Sequence, residues 1–408
     1  MKKLIYLIIC FMLIACGQAE NRGMTKTPTP SDNMSLESTL PSNTQEQCEC
    51  VAPLTQFAYP WGDAGLPAPQ NQPDLLPQKG WELVSTIPEY TDHMAQATLD
   101  LELFRQNNGN NEIWIKGRDE IGFYIYHGTL GTWEKNDKNN AILVTSFLFT
   151  DKKNSVWAAK RQKDPKVPLL SKYDEITKQF IPVIDKDGLF TNQYLIIQSN
   201  PIKVDSSGVF WMIVEDNSDL KDISYLISFD PDTMVATRHL SDPGLATSLE
   251  ITSDNTILLV DENLGEMIQY SPKSDKITNT NIPDFISDKN INPGTSLFLD
   301  HNRRLWLNES GYFDMTDARY PQWYVVIRSP IFIDFIEAAG MWGWGSPFFV
   351  ENTSDGLLWY RASRGTGWLD PQQGKWCLFT SYRSNIVQDN EHNLWILIDG
   401  SLYKHPYK

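Results

Sequence analysis

Apolar residues in this chain fall in short runs, each introduced by a polar turn, and the alternation repeats from Trp81 onward. A turn rich in Asp, Asn and Gly is followed by an apolar run whose second position is usually Trp. The copies are Asn111-Glu112-Ile113-Trp114-Ile115, Asn154-Ser155-Val156-Trp157-Ala158, Gly208-Val209-Phe210-Trp211-Met212, Asn255-Thr256-Ile257-Leu258-Leu259, Arg303-Arg304-Leu305-Trp306-Leu307, Gly356-Leu357-Leu358-Trp359-Tyr360 and Glu391-His392-Asn393-Leu394-Trp395. The marker positions lie 36 to 54 residues apart. A period of this size with so many β-formers predicts an all-β protein, a seven-bladed β-propeller of four strands per blade, over residues 79–408.

A second marker follows later in several repeats, an aromatic or apolar residue, Asp and a turn, as in Tyr173-Asp174, Phe229-Asp230-Pro231 and Leu369-Asp370-Pro371. Asp and Pro set turn geometry there, so the marker reads as the hairpin between third and fourth strands. Asp205, Asp300 and Asp389, before the Trp strands, do the same between first and second strands. Gly80-Trp81-Glu82-Leu83-Val84-Ser85-Thr86 aligns with the fourth strand at Gly374-Lys375-Trp376-Cys377-Leu378-Phe379-Thr380. The last repeat lacks a fourth strand of its own, so the N-terminal segment is expected to supply it and leave no open sheet edge.

Both markers resemble the repeats of the two-component-regulator type found in periplasmic ligand-binding sensor propellers, most clearly at Asp389-Asn390-Glu391-His392-Asn393-Leu394-Trp395-Ile396 and Gly400-Ser401-Leu402-Tyr403. The resemblance implies a sensor-like binding role. Such sensors usually continue into a membrane helix and a signalling module, whereas this sequence stops at Lys408, so any output is expected to come from a partner.

Ahead of the repeats the pattern changes twice. Residues 16–50 are rich in Ser, Thr, Pro, Asn and Gln with few large apolar side chains, which predicts a flexible tether. Residues 51–78 carry Pro53, Pro60, Pro67, Pro69, Pro73 and Pro77 and predict a stiffer, extended stretch. Residues 1–15 read as a cleaved signal peptide: Lys2 and Lys3 are followed by an apolar run, and Leu13-Ile14-Ala15-Cys16 closes it. That ending resembles the lipobox of bacterial lipoproteins, which implies lipidation of Cys16 and a membrane-anchored protein of the cell envelope. Gly17 after Cys16 leaves the choice of membrane open.

Charge narrows the partners. The chain has 35 basic and 51 acidic side chains, a net charge of −16. This repels phosphate backbones and excludes nucleic acid as a partner. It also opposes adhesion to anionic lipid, leaving the lipid on Cys16 as the membrane attachment. Of five cysteines, Cys10 leaves with the leader and Cys16 carries lipid. The remaining Cys48, Cys50 and Cys377 are an odd set that defines no disulfide framework. Cys48 and Cys50 read as incidental thiols of the tether, the alternatives being a redox pair or half of a metal site, with the i, i+2 spacing strained for a disulfide.

The chemistry points to binding rather than catalysis. No two of His93, His127, His239, His301, His392 and His405 have metal-ligand spacing, no Ser sits in a nucleophile elbow, and no cofactor is implied. Asp185-Lys186-Asp187-Gly188 has some calcium-loop character without the full ladder or closing Glu. Binding is expected on the face carrying the loops between second and third strands and between blades, including 160–170, 185–194, 283–294, 308–323 and 339–347. There, Gly340-Met341-Trp342-Gly343-Trp344-Gly345 puts two Trp on one side of the chain among glycines. Trp342 and Trp344, with Tyr312, Arg319, Trp323, Arg361 and Arg364, form the candidate rim for a small-molecule or protein partner. Inter-blade packing is the alternative for the tryptophans. A metal-dependent hydrolase or lyase of the propeller type is the alternative for the whole protein.

Overall fold

The computed structural model describes residues 49–53 and, from 81 to 406, the strands and most of the turns. Residues 89–99, 117–122, 137–145, 217–222, 283–296, 317–321, 326–347 and some shorter loop pieces lie outside the description. The described chain is all-β, seven antiparallel sheets in sequence order around a ring, and its only helical piece is the single 3-10 turn Leu189–Thr191.

Blade 1 comprises Asp100–Asn107, Asn110–Lys116, Phe123–His127 and Thr132–Lys135. Blade 2 comprises Ser146–Thr150, Val156–Lys160, Leu170–Asp174 and Gln179–Pro182. In blade 3 two short strands, Leu195–Ile197 and Lys203–Val204, share the innermost position beside Phe210–Asp216, followed by Ile223–Asp230 and Val235–Ser241. Blade 4 runs Leu245–Ile251, Ile257–Asp261, Glu266–Ser271 and Lys276–Asn281, and blade 5 runs Leu297–Leu299, Arg304–Leu307, Gly311–Asp314 and Gln322–Val325. Blade 6 runs Phe348–Asn352, Leu358–Ala362, Gly365–Asp370 and Lys375–Thr380. Blade 7 takes three strands from the C-terminal end, Ile386–Gln388, Leu394–Ile398 and Ser401–His405, and its outer strand from Glu82–Thr86. In that sheet Glu82 lies opposite Lys404, Leu83 opposite Tyr403 and Thr86 opposite Ser401.

The second strands are apolar on both faces because each sheet is covered by a neighbour on each side. Trp114, Trp157, Trp211, Trp306, Trp359 and Trp395 all sit in them and are at most 3 % exposed. Fourth strands, at the rim, are mostly exposed, as in Lys276–Asn281. The apolar core is therefore a set of layers between blades. Trp114 and Phe123 of blade 1 pack with Leu148, Val156 and Tyr173 of blade 2. Trp211 of blade 3 packs with Leu249, Ile257 and Tyr270 of blade 4. Between the last and first blades, Trp395, Leu397 and Leu402 meet Leu101, Ile113, Ile115 and Tyr126. Polar bonds cross the same boundary, from Asn385 Nδ2 to Leu101 O at 2.9 Å and from Asn390 Nδ2 to Gln106 Oε1 at 2.7 Å.

A repeated clamp explains the Asp-to-Trp spacing. In blade 2, Asp151 Oδ1 accepts the backbone N–H groups of Lys153 and Ser155, both at 2.8 Å, while Oδ2 accepts Trp157 Nε1–H at 3.0 Å. Asp205 with Trp211, Asp300 with Trp306 and Asp389 with Trp395 repeat it, the indole distances being 2.9, 3.1 and 2.9 Å. One carboxylate thus closes the turn and fixes the Trp six residues on. The third residue after each Asp has positive φ, Asn154 at 57°, Gly208 at 96°, Arg303 at 61° and His392 at 66°. That conformation accounts for the Asn and Gly in these turns, and His301 and His392 are exposed turn residues. Blade 4 uses Thr252, whose Oγ1 accepts Thr256 N–H at 3.0 Å, in place of Asp.

One expectation changes. Residues 49–53, at the junction of the expected tether and the extended segment, form a fifth strand on the outer edge of blade 6, paired with Lys375–Thr380. An outermost strand presents unpaired N–H and C=O groups, and a passing segment of the same chain can satisfy them whatever its side chains.

Candidate functional site

The innermost strands of five blades converge on a cavity of about 400 Å³, lined among others by Phe104, Phe149, Lys203, Val350, Glu351 and Gln388. Its lining also includes Thr150, Val204 and Gln388, the residues that immediately precede the turn aspartates Asp151, Asp205 and Asp389. The cavity therefore opens among the ends of the inner strands nearest the Asp turns, not at the opposite loops where the sequence pattern pointed.

Apolar side chains from blades 1, 2, 3, 6 and 7 share the wall about equally with polar groups, and of its four polar residues, Thr150, Lys203, Glu351 and Gln388, the last three define its chemistry. Lys203 is half-buried in blade 3 and its ammonium lies 2.8 Å from Glu250 Oε1 on the inner strand of blade 4. Burial raises the Glu250 carboxyl, and Lys203 opposes the shift. Glu351, on the inner strand of blade 6, borders the cavity but lies deep in the ring, and that burial pushes its carboxyl up to about 7. The rise is limited by the N–H groups of Asn352 at 3.1 Å and Gln388 at 3.4 Å and by the charge of Lys203. Gln388 in turn accepts Ser354 N–H through Oε1 at 3.1 Å and donates from Nε2 to His392 O at 3.1 Å, joining blades 6 and 7 at the cavity wall. The site thus offers one ammonium already paired with a carboxylate, and one carboxyl that can hold or release a proton near neutrality. Among the described residues no group of three His, Cys, Asp or Glu side chains is placed to hold a metal ion.

Sequence reasoning missed Lys203, Glu250 and Glu351. Their signal is a charged residue inside an apolar inner strand, Ile202-Lys203-Val204, Leu249-Glu250-Ile251 and Val350-Glu351-Asn352, and it carries meaning only once the strand is known to face the axis.

Of the residues predicted for a rim, Tyr312, Trp323 and Arg361 fall on described strands. Tyr312 belongs to the blade core: it is 2 % exposed, its ring centroid lies 4.6 Å from that of Trp306, and Arg304 stacks over it. Its strand lies between Arg304–Leu307 and Gln322–Val325 of the same sheet. Trp323 lies on the outer strand of blade 5 opposite Phe313, and Arg361 lies half-buried on the second strand of blade 6 opposite Thr366. Cys16, Arg319, Trp342, Trp344 and Arg364 lie outside the described residues. The calcium-like loop is occupied by its own backbone: Asp185, 3 % exposed, accepts Phe190 N–H at 2.7 Å and Leu189 N–H at 3.1 Å. Lys160, at the head of the 160–170 loop, is 1 % exposed, and its burial lowers the ammonium pKa against the pull of Asp164.

No protein-family model matches the chain, and no curated protein sequence does. Solved structures do. A streptogramin B lyase matches at 9 % identity over 79 % of this chain and 96 % of its own, with a TM-score of 0.51. The extracellular domain assigned to a hybrid two-component system of B. thetaiotaomicron matches at 14 % identity over 79 % of this chain, also with a TM-score of 0.51. This chain spans 42 % of that domain. At such identities the likeness establishes the fold, the seven-bladed propeller, while the two neighbours serve different ends.

Proposed function

We propose that this chain is a lipid-anchored β-propeller of the bacterial cell envelope whose axial cavity binds a small ligand with an apolar body and one polar or charged end. The cavity carries this reading. About 400 Å³ is the size of a small-molecule site, and its wall joins apolar side chains of five blades to Lys203, Glu351 and Gln388. Lys203 and Glu351 would orient the polar end. The leader ending at Cys16 supports the location, and the extracellular placement of one structural neighbour agrees with it. Occupancy would be read by a partner, for which Trp342, Trp344, Arg319, Trp323, Arg361 and Arg364 are the proposed contact residues.

The test is a thermal-shift titration with a panel of monocarboxylates, primary amines and neutral sugars, on the native chain and on Val204→Trp, which fills the cavity. At least one class should raise the melting temperature of the native protein, and Val204→Trp should abolish that response. Equal responses from both proteins, or none from the native chain, would remove the axial site. Trp342→Ala and Trp344→Ala should leave that response and the melting temperature unchanged, since contact with a partner needs exposed rings. A loss of several kcal/mol from both variants, the cost of truncating a buried Trp at about 3–5 kcal/mol, would make them core residues instead.

A further inference from the structure

The strand Glu49–Pro53 runs antiparallel to Lys375–Thr380, with Glu49 opposite Leu378 and Cys50 opposite Cys377. Directly opposed residues of an antiparallel pair have Cα atoms about 4.5–5.5 Å apart. A disulfide joins Cα atoms about 4.4–6.8 Å apart. The register thus places two of the three cysteines that remain after the leader and lipobox at bridging distance, although they stand more than 300 residues apart in sequence. Cys48, in contrast, stands only two residues from Cys50 in sequence, a spacing that is strained for a disulfide.

We propose that Cys50 and Cys377 form a disulfide in the exported protein, fastening the segment that precedes the propeller to the rim of blade 6. The two thiols lose two protons and two electrons as the S–S bond forms. The electrons pass to the disulfide of an envelope thiol–disulfide oxidase, which leaves as its dithiol. The bond turns an added edge strand into a fixed one. The chain is then tied to the propeller at Cys50 as well as at Glu82–Thr86. The proposal rests on export for its oxidant, but not on the axial ligand site.

The full-length protein is recovered from the envelope fraction with free thiols blocked by N-ethylmaleimide before lysis, then digested with trypsin without reduction. Cleavage after Lys26, Lys79, Lys375 and Arg383 gives peptides 27–79 and 376–383, each carrying its cysteines. The expected product is these two peptides joined and separable by reductant, unchanged in Cys48→Ser and absent in Cys50→Ser and Cys377→Ser. An alkylated Cys377 in the exported protein, a bond within 27–79, or a link that survives Cys50→Ser would overturn the pairing. Failure of export is read separately, from the mass of an uncleaved leader. In that case oxidation of the purified chain by glutathione disulfide should still give the same linked peptides, and their absence there would overturn the pairing as well.

Discussion

Asp205 shows how much one side chain carries in this fold. Burial alone would raise its carboxyl, yet the hydrogen bonds from Ser207, Trp211 and Val209 leave it below the ordinary range. It accepts Ser207 N–H at 2.8 Å, Ser207 Oγ–H at 2.6 Å, Val209 N–H at 3.1 Å and the Trp211 indole at 2.9 Å. Asp205→Ala should cost about 3 kcal/mol or more, because it orphans a buried indole N–H and opens the turn, and chemical denaturation reads the loss. A lowered carboxyl contributes stability that is complete above the unfolded value of about 3.9 and is lost as pH falls through the folded value. Asp205→Asn should therefore narrow its deficit below pH 4. Glu351 has the opposite sign. Its folded value near 7 lies above the unfolded one, so the native state holds the proton longer and stability falls as pH rises from about 4.5 to 7. Glu351→Gln should melt like the native chain at pH 5 and higher than it at pH 8. Because the side chain still borders the cavity, water there offsets part of the cost, and a gain of about 1–2 kcal/mol is expected. A pH-independent difference between the two proteins would show that Glu351 does not titrate in this range. The aspartates were legible as turn residues because their partners are local, within six positions. Glu351 was not, because its environment is assembled from strands of other blades.

At the scale of strands, blade 7 draws its outer strand from Glu82–Thr86 and the rest from the C-terminal end. Removing residues 79–87 should strip that edge, taking Trp81 from its contact with His405, centroids 5.1 Å apart, and Ile87 from the layer between blades 7 and 1. Melting should fall by many degrees, whereas deleting 20–45 should leave it unchanged. Equal melting temperatures for the two deletions would deny the strand any role in holding the ring. The blade pattern was readable even in blade 4, which lacks both Asp and Trp, because spacing and apolar runs persist at Thr252 and Leu258. The strand Glu49–Pro53 was not readable. It has no apolar alternation, is followed by a Pro-rich stretch, and owes its existence to an edge formed by residues more than 300 positions later.

At the scale of the whole molecule, attachment and folding are separate problems. The acidic body offers no electrostatic hold on anionic lipid, so Cys16→Ser should move the protein from the membrane fraction to the soluble one. Retention of Cys16→Ser on membranes washed with mild salt would refute lipidation as the anchor. The ring itself has a consequence in time. Its apolar layers lie between blades, so a blade made alone has two bare faces and nothing to bury them. The last such layer, and the sheet that takes in Glu82–Thr86, must wait for residues up to His405 to be made. Contacts so distant in sequence are slow to form. Until then the first-emerging blades would expose Trp and Leu to solvent, and this is the interval in which a holding chaperone or a protease decides the fate of the chain.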